Sequence, residues 1–153
     1  MRVVSACLTA GLICVVTPAF AQAPKLVQKY DNWQVYVHES QGEKVCFAAA
    51  SPKSMEPKTA KRGPVYLYLT TWQKDGVRNE VSVKIGYTLK QGSKPIAIVG
   101  KDQWELYPTD DKAFMRDPAE ERKLLEAMKK GSTLTVKGTS ARACCPASAY
   151  SRS

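Results

Sequence analysis

The alternation of apolar and polar residues over 80–88 is the feature that most constrains the fold. Its apolar positions are Val81, Val83, Ile85 and Tyr87, and its polar positions are Glu80, Ser82, Lys84 and Thr88. Successive side chains of a strand point to opposite faces, so the pattern predicts an antiparallel strand with one wet face. Six further segments alternate or are rich in β-branched and aromatic residues, and are predicted as strands: 33–38, 45–50, 65–72, 96–99, 104–107 and 133–137.

One helix is predicted late in the chain. Asp117 stands as N-cap before Pro118, and Glu120 follows three residues after the cap, as in a capping box. Gly131 is predicted to end the helix in the left-handed conformation. Leu124, Leu125 and Met128 form an apolar face that would pack on a sheet. The predicted fold is therefore mainly β, an antiparallel β-sandwich or barrel of about seven strands with one late amphipathic helix.

The N-terminus resembles a secretory leader. Arg2 precedes an apolar segment over 3–20, and Ala19-Phe20-Ala21 is a small-x-small cleavage pattern. The alternative, a membrane anchor, is less favoured because the segment is barely long enough to span a bilayer and carries Thr17-Pro18. We predict a signal peptide at 1–21, a β domain at 22–142 and a different tail at 143–153. The protein would be exported to the periplasm or outer membrane, or secreted.

The chain is basic, with 23 Lys and Arg against 14 Asp and Glu and a formal net charge of +9. Export argues against nucleic acid as the partner, so an anionic envelope or host-surface component is expected instead. The alternative is that the charge only keeps the protein soluble. The longest predicted loop, 51–64, concentrates positive charge and is a candidate binding segment through Lys53, Lys58, Lys61 and Arg62.

Strand 65–72 carries a second candidate binding surface. Tyr66, Tyr68 and Trp72 share one face, and the opposite face is aliphatic. If the aliphatic face is core, the three rings form an exposed stripe suited to binding sugar or protein. If both faces are covered, the rings are core, and this reading is the one the sequence favours.

Catalytic and metal-binding patterns are missing from the sequence. His38 is the only histidine and is predicted to be a solvated residue on the polar face of a strand. The sequence offers neither a set of zinc ligands nor a phosphate-binding glycine loop, so no metal and no cofactor is predicted. The alternative is a hydrolase using Asp110, Asp111 or Glu121, although such acidic pairs are common on surfaces.

The cysteines left after export are odd in number, so in an oxidising compartment at least one is an unpaired thiol or bonds to another chain. Cys7 and Cys14 would leave with the leader, and Cys46, Cys144 and Cys145 would remain. Adjacent cysteines pair only in a strained ring, so the ordinary intrachain option is Cys46 with Cys144 or Cys145.

Over residues 30–142 the chain resembles the invasion-associated locus B family of exported alphaproteobacterial proteins. The resemblance is carried by strand and helix patterns, among them Lys44-Val45-Cys46-Phe47-Ala48, Val77-Arg78-Asn79-Glu80-Val81-Ser82-Val83, Ile85-Gly86-Tyr87, Trp104-Glu105-Leu106-Tyr107, Ala127-Met128-Lys129-Lys130-Gly131 and Val136-Lys137-Gly138-Thr139-Ser140. It implies a small β-rich protein of the periplasm or outer membrane, without enzymatic activity, linked in founding members to host-cell invasion.

The tail departs from that family. Members continue with a further strand, a final helix and a cysteine near the terminus, which the resemblance implies would pair with Cys46. Here residues 143–153 show no alternation. We therefore expect a truncated or frameshifted end that leaves an unpaired sheet edge and lowers stability.

Overall fold

A computed structural model describes residues 23–40, 42–142 and 148–151, the last range through its backbone. It contains twelve strands in these ranges, which are β1 (Lys25–Tyr30), β2 (Trp33–Ser40), β3 (Glu43–Ala50), β4 (Ser54–Met55), β5 (Tyr66–Trp72), β6 (Val77–Lys84), β7 (Ile96–Val99), β8 (Asp102–Glu105), β9 (Tyr107–Thr109), β10 (Lys112–Phe114), β11 (Thr133–Lys137) and β12 (Ser148–Ser151). The helix α1 (Pro118–Lys130) lies between β10 and β11. The mainly β fold with one late helix is confirmed.

The strands form two antiparallel sheets. The large sheet has seven strands in the order β1-β2-β3-β5-β6-β10-β9. The small sheet is built on β8-β7-β11, and the short strands β12 and β4 extend it at the β11 edge. Neither sheet closes on itself, so the open sandwich is right and the barrel alternative is wrong.

The core lies between the inner faces of the two sheets and one face of α1. It contains the apolar positions predicted from the alternation of 80–88, since Val81, Val83 and Ile85 are all buried. The small sheet and helix contribute the other half, with Ala97, Val99, Trp104, Leu134, Val136 and Leu124. Burial of this apolar surface is the main stabilising term of the fold.

The start of α1 follows the prediction and its end does not. The Asp117 carboxylate accepts a hydrogen bond from the Ala119 N–H at 2.7 Å, as an N-cap does. The capping-box prediction for Glu120 is wrong, because its carboxylate pairs with Lys123 at 2.7 Å.

Gly131 is also not left-handed, since its φ is −81°. It is required for another reason. A Cβ built at this position would lie 2.4 Å from Val99 Cγ1, so only glycine allows the helix end to approach β7 this closely.

Several strands were not predicted. All six residues of β1 are exposed, and its apolar Leu26 and Val27 are adjacent, so no alternation marks it. The strands β9 and β10 form a short hairpin whose turn contains Asp110, with φ of +51°. In the tail, β12 pairs with β11 and β4. The tail therefore supplies a strand beside β11 although its side chains do not alternate, because backbone hydrogen bonds form the ladder.

Other predictions concern residues the structure does not describe. The leader at 1–21 and both tail cysteines, Cys144 and Cys145, lie outside the described residues. Within the described ranges, no helix is both long enough and apolar enough to cross a bilayer.

Candidate functional site

The outer face of the large sheet, which points away from the core, carries an aromatic groove. We define the aromatic groove by its four rings, Tyr36, Phe47, Tyr66 and Tyr68. The register explains why they meet. Tyr36 lies opposite Phe47 across β2 and β3, while Ala49, two residues after Phe47, lies opposite Tyr68 on β5. Residues two apart share a face of a strand, so all four rings project on the same side of the sheet.

The four rings form one contact network. Tyr36 and Phe47 stack with their centroids 5.1 Å apart and their planes at 19°. Phe47 meets Tyr68 edge to face at 6.1 Å, and Tyr68 tilts against Tyr66 at 5.8 Å. These separations lie in the range in which aromatic pairs attract each other, so each ring restricts its neighbours. The rings therefore offer a partner a surface that is already ordered before binding.

Small and polar residues complete the aromatic groove. Ala49 lies between the rings, and its methyl group leaves open a space of about 370 Å³. Gln34 lies beside it and accepts a hydrogen bond from the Tyr36 hydroxyl. Asn32 also lines the groove, and its Nδ2 is buried without a hydrogen bond to any described residue. The groove thus combines apolar ring faces with amide groups that can hydrogen-bond to a ligand.

Positive charge borders the aromatic groove on the β6 side. Lys84 lies opposite Tyr66 across β5 and β6, and Lys112 lies opposite Lys84 on β10. The Lys84 ammonium is 2.9 Å from the Asp111 carboxylate, and this hydrogen bond raises the lysine pKa. The pKa of the Tyr68 hydroxyl is also raised, first by its burial and then by neighbouring Tyr66. At neutral pH the Tyr68 hydroxyl therefore keeps its proton, and the Lys84 ammonium is charged and paired with Asp111.

The third ring predicted for the stripe, Trp72, is not part of the aromatic groove. It lies on the same strand as Tyr68 but four residues further along, a distance of about 13 Å along the strand. There it faces Val45 across β3 and its side chain is exposed. The aliphatic face of β5 is core, as the first alternative requires, with Val65 and Leu67 buried.

The structure separates the four basic residues of loop 51–64 into two kinds. Lys53, Lys58 and Lys61 are exposed. Arg62 is half-buried, because its guanidinium donates a hydrogen bond to the Glu56 carbonyl and lies 5.3 Å from the centre of the Tyr87 ring. The three lysine side chains thus lie in solvent, whereas Arg62 holds the loop in place.

The carboxylates of the hydrolase alternative make separate contacts. Asp111 pairs with Lys84, and Asp110 accepts a hydrogen bond of 3.4 Å from the Thr88 hydroxyl. Glu121 accepts a hydrogen bond of 2.7 Å from the Val81 N–H and so ties α1 to β6. Desolvation raises the pKa of Glu121, and the nearby Glu80 charge raises it further.

His38 and Cys46 differ from simple surface residues. His38 is half-buried rather than solvated, and its Nδ1 makes no hydrogen bond within the described part of the chain. Cys46 is half-buried on the inner face of β3 and forms no disulfide with any residue that the structure describes. Within the described ranges, no three His, Cys, Asp or Glu side chains are grouped so that they could hold a metal ion.

Sequence reasoning identified half of the aromatic groove. Tyr66 and Tyr68 were predicted, whereas Tyr36 and Phe47 were not. Tyr36 reads as one of several polar-face residues, and Phe47 lies in a segment that is apolar on both faces. Only the register between β2, β3 and β5 shows that these four rings are neighbours.

Comparison of the chain with protein-family models, with curated proteins and with solved structures found no match. The class of function is therefore inferred from the aromatic groove and from the sequence features described above.

Proposed function

We propose that the protein is an exported, non-enzymatic binding protein of the cell envelope that holds an acidic carbohydrate in the aromatic groove. The observation that carries this proposal is the set of four contacting, half-buried rings around Ala49 on the outer face of the large sheet. The apolar faces of sugar rings stack on aromatic side chains, and their hydroxyls pair with amides such as Asn32 and Gln34.

Charge selects the acidic class of carbohydrate. The formal net charge of +9, which becomes +8 when Arg2 leaves with the leader, attracts polyanions over long distances. Beside the rings stand Lys112 and Lys84, of which Lys84 is paired with Asp111. The lysines of loop 51–64 add to this field. An acidic carbohydrate agrees with the anionic envelope or host-surface partner expected from the sequence. A volume of about 370 Å³ is of the size that holds a small-molecule ligand.

The cellular setting of the proposal comes from the sequence. The leader at 1–21 would direct export, and the resemblance to the invasion-associated locus B family supports a place in the periplasm or outer membrane and a contribution to host-cell contact. Cell fractionation with N-terminal sequencing tests this directly. An exported chain that begins at Gln22 supports it, and a cytoplasmic chain that retains residues 1–21 overturns it.

Filling the aromatic groove tests the binding proposal. Ala49→Leu places a larger side chain between the rings without removing any of them. Its matched control is Val45→Leu, which enlarges a residue on the same strand and the same face outside the groove lining. On a glycan array, the mature protein should bind acidic oligosaccharides, and Ala49→Leu should weaken binding about tenfold or more while Val45→Leu leaves it within about twofold.

The salt dependence of the same binding provides the second readout. Affinity for the acidic glycan should fall as the salt concentration rises, because exposed lysines are screened. Binding that is equal in both leucine variants would refute the groove. Binding that is insensitive to salt would refute the preference for an acidic ligand.

A disulfide between Cys46 and Cys144 or Cys145 also remains our proposal. In the exported form, thiol titration of the unfolded protein would find one thiol if that bond forms and three if it does not.

A hydrolase that acts on envelope polymers is the second candidate function. The observation in its favour is the raised pKa of Glu121, since a general acid must hold its proton near neutral pH. Incubation of envelope polysaccharide with the purified protein and with Glu121→Gln tests it. Equal or absent release of reducing ends from both proteins would exclude this role.

A further inference from the structure

A second cavity lies on the opposite side of the large sheet, beneath α1. The helix covers the inner face over β6, where Leu124 is fully buried, but leaves the β2 and β3 side of that face only partly covered. The result is an apolar cleft, which we define by Trp33, Leu69, Leu125, Met128 and Leu134. Its walls come from the sheet, the helix and β11, so it is bounded on three sides.

The size of the apolar cleft limits its occupant. Its volume is about 450 Å³, which is typical of sites that hold one small molecule. A single turn of helix, about 10 Å wide and 5.4 Å long, would already fill about 400 Å³. The cleft therefore has room for at most about one helical turn or for one small apolar molecule, such as a single acyl chain.

The mouth of the apolar cleft is positively charged. Arg122 and Lys129 flank Leu125 on α1, three residues before it and four after it. Lys129 is paired with Glu126 at 2.6 Å. Arg122 is exposed and makes no ion pair with any residue that the structure describes. Its planar guanidinium matches a carboxylate through two parallel hydrogen bonds.

We propose that the apolar cleft holds the acyl chain of a long-chain fatty acid, with its carboxylate at Arg122. The apolar lining would contact the acyl chain, and the unpaired guanidinium at the mouth would contact the carboxylate. This site is independent of the aromatic groove, because Trp33 and Leu69 lie on the inner face of the sheet and the four rings on the outer face. A lysophospholipid or a second copy of the chain is an alternative occupant that the tests below separate.

Trp33 allows a direct test, because it lines the apolar cleft. Stearate that carries bromine at carbons 9 and 10 quenches the fluorescence of any tryptophan that it contacts. The chain has three tryptophans, of which Trp72 is on the outer face and Trp104 is buried outside the cleft lining. Quenching should saturate at one stearate per chain and should be lost in Trp33→Phe.

The head-group contact has its own pair of variants. Arg122→Gln should weaken stearate binding about fivefold, as expected for loss of one charge-assisted contact. Lys123→Gln removes the same charge from the neighbouring residue, which pairs with Glu120 and does not line the cleft, and should leave affinity unchanged. Equal affinities in these two variants would overturn the assignment of the carboxylate to Arg122.

Other outcomes would overturn the proposal as a whole. Quenching that persists in Trp33→Phe would place the lipid elsewhere, and tighter binding of lysophospholipid than of stearate would exclude a fatty acid. Dimerisation that competes with stearate would make the cleft a protein interface. If Trp33→Phe fails to fold, the indole proton of Trp33 in the unsubstituted protein must shift in NMR spectra on adding stearate while that of Trp72 stays in place.

Discussion

Replacing Gly86 by alanine should destabilise the fold far more than the same change at Gly92. Both glycines have positive φ, +82° at Gly86 and +70° at Gly92, so alanine is strained at either position by about 1–2 kcal/mol. A Cβ at Gly92 would meet nothing within 4 Å. A Cβ at Gly86 would lie 2.5 Å from the Gly63 carbonyl oxygen and 3.1 Å from Val65 Cγ2.

The additional cost at Gly86 comes from backbone that cannot rotate away. Moving the Gly63 carbonyl would disturb the hydrogen bond of 2.8 Å from the Gly63 N–H to the Gly86 carbonyl, which contributes about 1 kcal/mol. Overpacking at a tight site costs about 1–3 kcal/mol more. Gly86→Ala should therefore lower the free energy of unfolding by about 3–6 kcal/mol, a large part of the total stability of a domain.

Urea unfolding followed by far-ultraviolet circular dichroism measures both variants against the unsubstituted mature protein. The midpoint should fall strongly for Gly86→Ala and slightly for Gly92→Ala, with similar slopes. If the free energies of unfolding of the two variants differ by less than about 1 kcal/mol, the close approach between loop 51–64 and the residues after β6 is refuted.

Three further predictions follow from the structure. Asp117→Ala should lower the free energy of unfolding by about 1 kcal/mol, because it removes the acceptor of the hydrogen bond from the Ala119 N–H. Asp117→Ser should keep most of this stability, because a serine hydroxyl can also accept that bond. Equal urea midpoints for the two variants would contradict the role of Asp117 as N-cap. Because the folded pKa of Glu121 is raised above 4.5, the folded state binds its proton more tightly than the unfolded chain, so this residue's contribution to stability falls as pH rises through that pKa. Glu121→Gln should therefore gain stability relative to the unsubstituted protein between pH 4 and pH 7 in urea titrations, and a constant difference would contradict the raised pKa. Trp72→Ala should leave acidic glycan binding within about twofold on the array, since Trp72 lies outside the aromatic groove, and a tenfold loss would place the site elsewhere.

Local signals in the sequence predicted the features that depend on neighbours along the chain. Asp117 and Pro118 marked the helix start because a cap and a fixed φ act within one turn. The alternation of 80–88 located the buried face of β6, because successive side chains of a strand point to opposite faces. The role of Gly131 could not be predicted locally, because it is set by contact with Val99, which is distant in sequence.

Cross-strand register explains the remaining differences. Tyr66 and Tyr68 could be singled out from one strand, but joining them to Tyr36 and Phe47 requires the pairing of three strands. The strand β1 escaped prediction because an exposed edge needs no buried face, and its residues are all exposed. Backbone hydrogen bonds, which no side-chain pattern records, hold such strands in place.

The central claim concerns the outer face of the large sheet, and NMR titration of the labelled mature protein with an acidic oligosaccharide tests it most directly. The amide signals of Ala49, Tyr66 and Tyr68 should shift with one shared dissociation constant, while those of Leu125 and Met128 in the apolar cleft stay in place. Shifts confined to the cleft, or the absence of shifts at Ala49 and its neighbours at saturating ligand, would contradict carbohydrate binding in the aromatic groove.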